Sequence, residues 1–283
     1  MRKISRWWLA LPVVLIAAGF GIAQSKWARW IQSAEPFRLV GPIDYVGTRG
    51  LSAYLIHTPE GAILIDAPME QNAGRLKASI LTRGVPLSDV KLILLSHAHF
   101  DHAGGLAALK QATGAQLIVG EGDRTAVETG VPPGETDYGV IGFPPAKVDR
   151  GIRDGESVTL GGISLTAVAT PGHTPGCTSW TMRVADKGRP IDVLFACSVA
   201  VAGNRLVGNR RYPRIVDDFR ASFARLANMQ ADVVLPFHPE SVDLFARAKE
   251  GRLIDRNVLP DMVARGQKAF EDDLASQKAA AND

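Results

Sequence analysis

Directly behind the apolar run Leu92-Ile93-Leu94-Leu95-Ser96 the chain reads His97-Ala98-His99-Phe100-Asp101-His102. Three of its 6 histidines and a carboxylate therefore fall within one short stretch. The apolar run reads as a buried strand, so the fold must seat four polar side chains at the edge of its own core. Desolvating that many polar groups without a shared partner is costly. Neutral imidazoles with one carboxylate suit a divalent ion, zinc above all, which takes nitrogen and oxygen donors with little geometric preference of its own. A loop leaving a strand can turn His97 and His99 toward one point and aim Asp101 and His102 at a second point nearby.

Two more histidines sit behind strand-like runs. His173 lies in the glycine- and proline-rich ATPGHTPG after ISLTAVAT, and His238 follows VVLPF. Each alone is as consistent with a satisfied structural histidine as with a ligand. Together with the 97–102 run they complete six protein ligands, and a two-ion site is expected. His57 lies inside the strand-like LSAYLIHT and reads as structural.

The rest of the chain supplies short strands and helices. IDYVG, LSAYLIHT and GAILIDAP read as antiparallel strands separated by turns, and residues 70–83 have helical spacing with Gly84 as the stop. GGLAALKQATG is a short helix closed by Gly114, and AQLIVG returns to strand. Later, SVTL, ISLTAVAT, TSWTMRV, IDVLFA and DVVLPF read as strands, with DDFRASFARLANM, 241–250 and 261–280 helical. Ser25 to Pro42 reads as an approach to the domain. Residues 130–150, without a clear period, read as a surface loop near the site. Its Tyr138, Ile141 and Phe143 either wall the site or pack back onto the domain. Strand runs followed by helices, twice over, imply two packed β-sheets with helices outside, and no linker separates independent domains.

The formal charge is +3, and the positive excess sits in MRKISR, ahead of an apolar stretch from Trp7 to Ala23. Residues 1–23 read as a signal peptide with cleavage before Gln24, the alternative being an uncleaved N-terminal anchor. Either route places residues 24–283 outside the cytoplasm, in a bacterial context the periplasm. Without Arg2, Lys3 and Arg6 the net charge is zero, which removes the electrostatic argument for nucleic-acid binding. The patch NRRYPR reads as a solvated turn, and membrane contact is expected only through the N-terminal segment. Cys177 and Cys197 form neither a disulfide framework nor a CxxC pair. An oxidising compartment permits a bond between them, and spacing alone does not decide it.

HAHFDH, GHTPG and the later His238 resemble the metallo-β-lactamase superfamily, over a span from about Val40 to the helix near residue 250. GAILIDAPM, FPPAKVDR, GGISLTAVATPGHTPGCTSW and VGNRRYPRIVDDFRASF narrow the resemblance to subclass B3 metallo-β-lactamases. The implied fold is an α+β four-layer αββα sandwich, two mixed β-sheets with helices on the outer faces, and the implied cofactor is two Zn2+ per chain. The resemblance assigns His97, His99 and His173 to the first zinc, and Asp101, His102 and His238 to the second. Many superfamily hydrolases bridge the metals with an aspartate in the segment that here reads Ala196-Cys197-Ser198, and B1 enzymes place a cysteine ligand there. The B3 pattern instead puts Ser198 at the equivalent position, as a contact for the substrate carboxylate, and leaves Cys197 a small buried thiol. A second serine common in that pattern is replaced by Ala200, which puts the substrate-carboxylate contacts in doubt.

The implied activity is broad-spectrum, zinc-dependent hydrolysis of the β-lactam amide in penicillins, cephalosporins and carbapenems. A zinc-bound hydroxide is the nucleophile and Asp101 orients it. The expected partner is a small-molecule β-lactam, and a monomer is expected. The alternative is another binuclear zinc hydrolase of the superfamily, a lactonase or thioester hydrolase. A catalytically silent binding protein is disfavoured, because all six ligand positions are filled.

Overall fold

The computed structural model describes residues 27–282; the signal-peptide reading of residues 1–23 lies outside the described residues. Twelve strands form two sheets, one of seven strands in the order β1-β2-β3-β4-β5-β6-β7 and one of five in the order β12-β11-β10-β9-β8. The first sheet contains β1 (Phe37–Val40), β2 (Ile43–Tyr45), β3 (Tyr54–Thr58), β4 (Gly61–Ile65), β5 (Val90–Leu94), β6 (Gln116–Gly120) and β7 (Arg150–Ile152). The second contains β8 (Ser157–Leu160), β9 (Ile163–Ala169), β10 (Thr178–Asp186), β11 (Arg189–Ala196) and β12 (Val233–Pro236).

Both faces of the first sheet are covered, and its strands show it by alternation, because successive side chains point to opposite faces. Tyr54, Ile56, Ile63, Ile65, Leu94 and Ile118 face the second sheet and share a core with Trp180, Leu165 and Phe195. Their neighbours Leu55, Leu64, Ile93, Leu95, Leu117 and Val119 face outward into a separate core. That outer core is closed by helices α1 (Ala73–Thr82), α3 (Leu106–Thr113) and α4 (Arg124–Thr129), with the single turn α2 (Phe100–Ala103) behind β5. The second sheet is covered by α5 (Ile215–Ala227) and α7 (Val258–Asn282), whose Phe219, Phe223, Phe270 and Leu274 belong to the same continuous core. Helix α6 (Leu244–Lys249) links β12 to α7. This is the expected α+β sandwich of two mixed sheets flanked by helices. Gly114, with φ +70°, ends α3 in the left-handed conformation that glycine tolerates best.

Strands β1 to β4 pair antiparallel, as expected for β2 to β4, and β4 to β7 pair parallel because helices carry the chain back between them. Three short elements differ from the sequence reading, among them β7 at the end of the 130–150 loop. The approach segment contains β1, an edge strand paired to β2, and the stretch before the 130–150 loop contains α4. All three are too short for a period to declare itself. Among the described residues no helix is long and apolar enough to cross a membrane.

Candidate metal centre

Strands β4, β5 and β6 are mutually parallel, so their C-terminal ends share one edge of the first sheet. In the second sheet β9 and β11 both run antiparallel to β10, and β12 runs parallel to β11, so β9, β11 and β12 also end together. The polar residues of interest follow those ends: Asp66 after β4, His97 to His102 after β5, His173 after β9, Cys197 and Ser198 after β11, and His238 after β12. A backbone bond from Thr178 N to Ser96 O, 2.8 Å, ties the two edges. His99 has extended backbone, φ −108° and ψ 155°, immediately before α2 begins. That change from extended to helical sends His97 and His99 one way and Asp101 and His102 another.

The six predicted ligands fall into two adjoining groups. His97, His99 and His173 offer donor atoms all within 4.8 Å of one another, and His99 Nδ1 lies 3.0 Å from His173 Nε2. In the second group His102 Nε2 lies 3.2 Å from His238 Nε2 and 3.3 Å from Asp101 Oδ2, and His238 Nε2 lies 3.4 Å from the same oxygen. A tetrahedral ion with ligand bonds of 2.0–2.1 Å separates its donors by about 3.3 Å, so this triangle has the dimensions of one face of such a site. His97, Asp101 and His102 are also within 4.8 Å of one another, which makes the groups contiguous. His57 stands apart, in β3, with Nε2 2.6 Å from Asp44 Oδ2.

Hydrogen bonds around the groups fix which imidazole nitrogen carries a proton. Asp66 is fully buried. Its Oδ1 accepts from Ser96 N and its Oδ2 from Ser96 Oγ, both at 2.7 Å. With its hydroxyl proton committed to Asp66, Ser96 Oγ accepts from His97 Nδ1 at 2.9 Å. This leaves a lone pair on His97 Nε2, an atom buried without a hydrogen-bond partner among the described residues. His102 Nδ1 likewise donates to Asp66 Oδ2 at 3.0 Å, and His173 Nδ1 to the Ala200 carbonyl at 2.7 Å. A protonated Nδ1 with a free Nε2 lone pair, as in His97 and His173, is the arrangement that outer acceptors impose on metal-binding histidines; at His102, whose imidazolium Asp101 and Asp66 favour, the Nε2 proton is the one a metal would displace. An unpartnered buried nitrogen and a donor triangle of the right size both fit a pair of metal ions. Asp66 adopts φ +65°, a left-handed conformation uncommon outside glycine.

Electrostatically the groups differ. Burial drives His97 and His173 well below the ordinary imidazole range and His99 to about 4, so the first group is neutral. In the second group burial opposes both charges, but Asp101 and His102 face each other and outweigh it. The Asp101 carboxyl is held well below the usual carboxylate range and the His102 imidazole is raised, with Asp66 adding to the rise.

The segment after β11 offers no further ligand. Cys197 is bonded to Cys177 and is not the buried thiol anticipated from the sequence. The sulfurs lie near His97, but in the disulfide neither has a thiolate to give. Ser198 is half-buried, and its Oγ accepts from Ala200 N at 3.3 Å. Position 200, which lacks a serine hydroxyl, acts through its carbonyl on His173. In the 130–150 loop Phe143 packs back and is buried, whereas Tyr138 is exposed. Ile141 and Phe143 line a hollow with Trp27, Met69 and Phe100. Trp27 stacks on Phe100 and Trp30 packs on His238, with ring centroids 5.7 Å apart in each pair. The segment read as a mere approach thus forms a wall of the centre. Asp66 and Trp30 were not singled out in the sequence; the one signal for Asp66 was a carboxylate directly behind a strand buried on both faces.

The metallo-beta-lactamase superfamily model matches residues 46–238. The hydroxyacylglutathione hydrolase of Brucella anthropi is 29% identical over 228 residues, 74% of this chain and 76% of that protein. That of Rhodopseudomonas palustris is 32% identical over 123 residues, 43% of this chain and 39% of its own length. Among solved structures, BJP-1, a subclass B3 metallo-beta-lactamase of Bradyrhizobium japonicum, is 43% identical with a TM-score of 0.85, covering 89% of this chain and 98% of that one. MEM-A1, a subclass B3 metallo-beta-lactamase from a soil metagenome library, is 35% identical with a TM-score of 0.84, covering 89% and 99%. By the family match over most of its length, by its two-sheet fold and by its paired donor groups, the chain belongs to the metallo-beta-lactamase superfamily, and its structural matches include subclass B3 enzymes.

Proposed function

We propose that the chain is a zinc-dependent β-lactamase of subclass B3 type that opens the β-lactam amide with water. In this reading residues 24–283 are the catalytic domain and residues 1–23 direct it to the periplasm. The observation that carries it is the donor set. Asp101, His102 and His238 lie at tetrahedral spacing in one group and three imidazoles form the other, while Ala196-Cys197-Ser198 adds neither a bridging carboxylate nor a thiol. His97, His99 and His173 would hold one zinc, and Asp101, His102 and His238 the other. Bound zinc would supply Lewis acidity toward the lactam carbonyl and bring the pKa of water down toward about 7.

The chain's own groups do the rest. Asp101, ionised, accepts a proton-bearing edge of the attacking water and orients it. Asp66, Ser96 and the Ala200 carbonyl engage Nδ1 of His102, His97 and His173 and leave Nε2 as the ligating atom. Ser198, at the end of β11, takes the substrate carboxylate. Trp27, Phe100 and Ile141 exclude water from one side and receive the acyl substituent. A second reading, a thioester hydrolase, is favoured by the similarity to hydroxyacylglutathione hydrolases.

Zinc-loaded residues 24–283 are assayed by ultraviolet absorbance on a penicillin, a cephalosporin, a carbapenem, a glutathione thioester and a homoserine lactone, with and without chelator. Chelator-sensitive loss of the β-lactam chromophores is expected. Thioester or lactone turnover with inert β-lactams would overturn the β-lactamase reading and leave the metal hydrolase standing.

A further inference from the structure

Between β6 and α4 the chain turns through Glu121-Gly122-Asp123. Asp123 is fully buried, and no cation is among its partners. Its Oδ2 accepts from Ala98 N at 2.8 Å and from Thr174 Oγ1 at 2.7 Å, and its Oδ1 accepts from Gly176 N at 2.8 Å. Ala98 separates His97 from His99, and Thr174 follows His173. One carboxylate therefore grips both loops that carry the first donor group. The Thr178 N to Ser96 O bond holds the roots of these loops; Asp123 holds their tips.

The contact is also tight. A Cβ on Gly176 would lie 2.3 Å from Asp123 N, and one on Gly122 would lie 2.6 Å from the Pro175 carbonyl. Backbone meets backbone there, so the 121–123 turn is fixed against the loop that carries His173 by contact as well as by hydrogen bonds, and its reach to the other loop is the Ala98 N–H bond. Burying a carboxylate opposite neutral donors alone is unfavourable, and burial pushes its pKa up to about 6 against the three hydrogen bonds.

We infer that Asp123 is a positioning residue for the first metal, setting the spacing of His97 and His99 against His173. This rests on reading those three histidines as one metal group. Outer residues of this kind change metal affinity by about 10–100-fold when replaced.

The test is competitive chelator titration of zinc into purified wild type, Asp123→Asn, Thr174→Val and Val127→Ala. The asparagine must present an amide N–H to the Gly176 or the Ala98 N–H, and Thr174→Val removes one of the three bonds with little change of shape. Val127, buried in α4, is the stability control. The expected result is a loss of about 10–100-fold in one of the two zinc affinities in Asp123→Asn, and a smaller loss in that same affinity in Thr174→Val. Val127→Ala should keep the wild-type value, and the cobalt-substituted visible spectrum should change in the first two variants alone. Two unchanged zinc affinities in Thr174→Val, and in Asp123→Asn where it folds, overturn the inference, as does an equal loss in Val127→Ala. Failure of the wild type to bind two zincs would instead overturn the metal reading beneath it.

Discussion

Replacing Cys177 and Cys197 with alanine removes a crosslink between positions 20 residues apart, one in the loop after His173 and one at the end of β11. In the chain-entropy treatment a loop of that size restricts the unfolded ensemble by about 3 kcal/mol at 25 °C. For a domain this large each kcal/mol corresponds to about 2–4 °C, so the double variant should melt roughly 6–12 °C below wild type. The assay is urea unfolding of metal-free protein, because bound zinc would add its own linkage to folding. Thiol titration runs alongside: native wild type should show no reactive thiol, and two after denaturation with a dithiol reductant. Either single variant should lose nearly as much as the double, since the crosslink is what they share. A stability difference below about 1 kcal/mol, with the disulfide verified in wild type, would refute the entropic argument. Two thiols titrating in the unreduced wild type would refute the crosslink itself.

Asp44, fully buried, takes its partners from Arg38, from His57 at 2.6 Å and from Arg83 at 2.7 Å. Burial pushes its carboxyl up, but hydrogen bonds from Arg83, Arg38 and His57 outweigh it and hold the pKa below 3.8. A depressed pKa contributes stability above the unfolded value and loses it as pH falls through the folded one. Asp44→Asn should therefore cost about 3 kcal/mol at pH 7 by urea unfolding, with the gap to wild type closing as pH falls below 3.8. Chelation of the zinc-loaded protein should lower Tm, because each site at free zinc one hundredfold above Kd contributes about 2.7 kcal/mol; an unchanged melting curve would sink the preformed site. His238→Ala should drop zinc content from about two ions to about one per chain, whereas His57→Ala should keep both. Elemental analysis after gel filtration checks both variants.

The candidate metal-binding run was legible because its residues are neighbours in sequence, so a single strand end presents His97, His99, Asp101 and His102 together. His173 and His238 were legible at one remove, as histidines behind strand-like runs. Asp66 and Asp123 were not. Their partners lie 30 residues away at Ser96 and as far as 53 away at Gly176, and hydrophobic alternation says which face a residue takes, not which distant loop it meets. The same limit hid the disulfide and the Trp30–His238 contact. Strands β1 and β7, of 4 and 3 residues, are too short for a period of two to stand out from chance.

The division between strand ends and loops also separates what the sequence could say about chemistry from what it could say about specificity. Every proposed ligand lies within eight residues of the end of a strand buried in the core, so its position is inherited from the packing of two rigid sheets. The surfaces that would meet a substrate come from elsewhere: residues 27–31, the 130–150 loop, and the chain after Ser198. These are irregular or short, carry the exposed Trp27, Tyr138 and Val140, and are positioned by scattered bonds such as Asn204 to the His173 carbonyl and Gln277 to Leu206. Loops mounted on a rigid scaffold can vary without disturbing it. Substitutions at Trp27, Tyr138 or Ile141 should accordingly reorder substrate preference while zinc stoichiometry stays fixed, and a change in stoichiometry would mean that the loops help to build the centre.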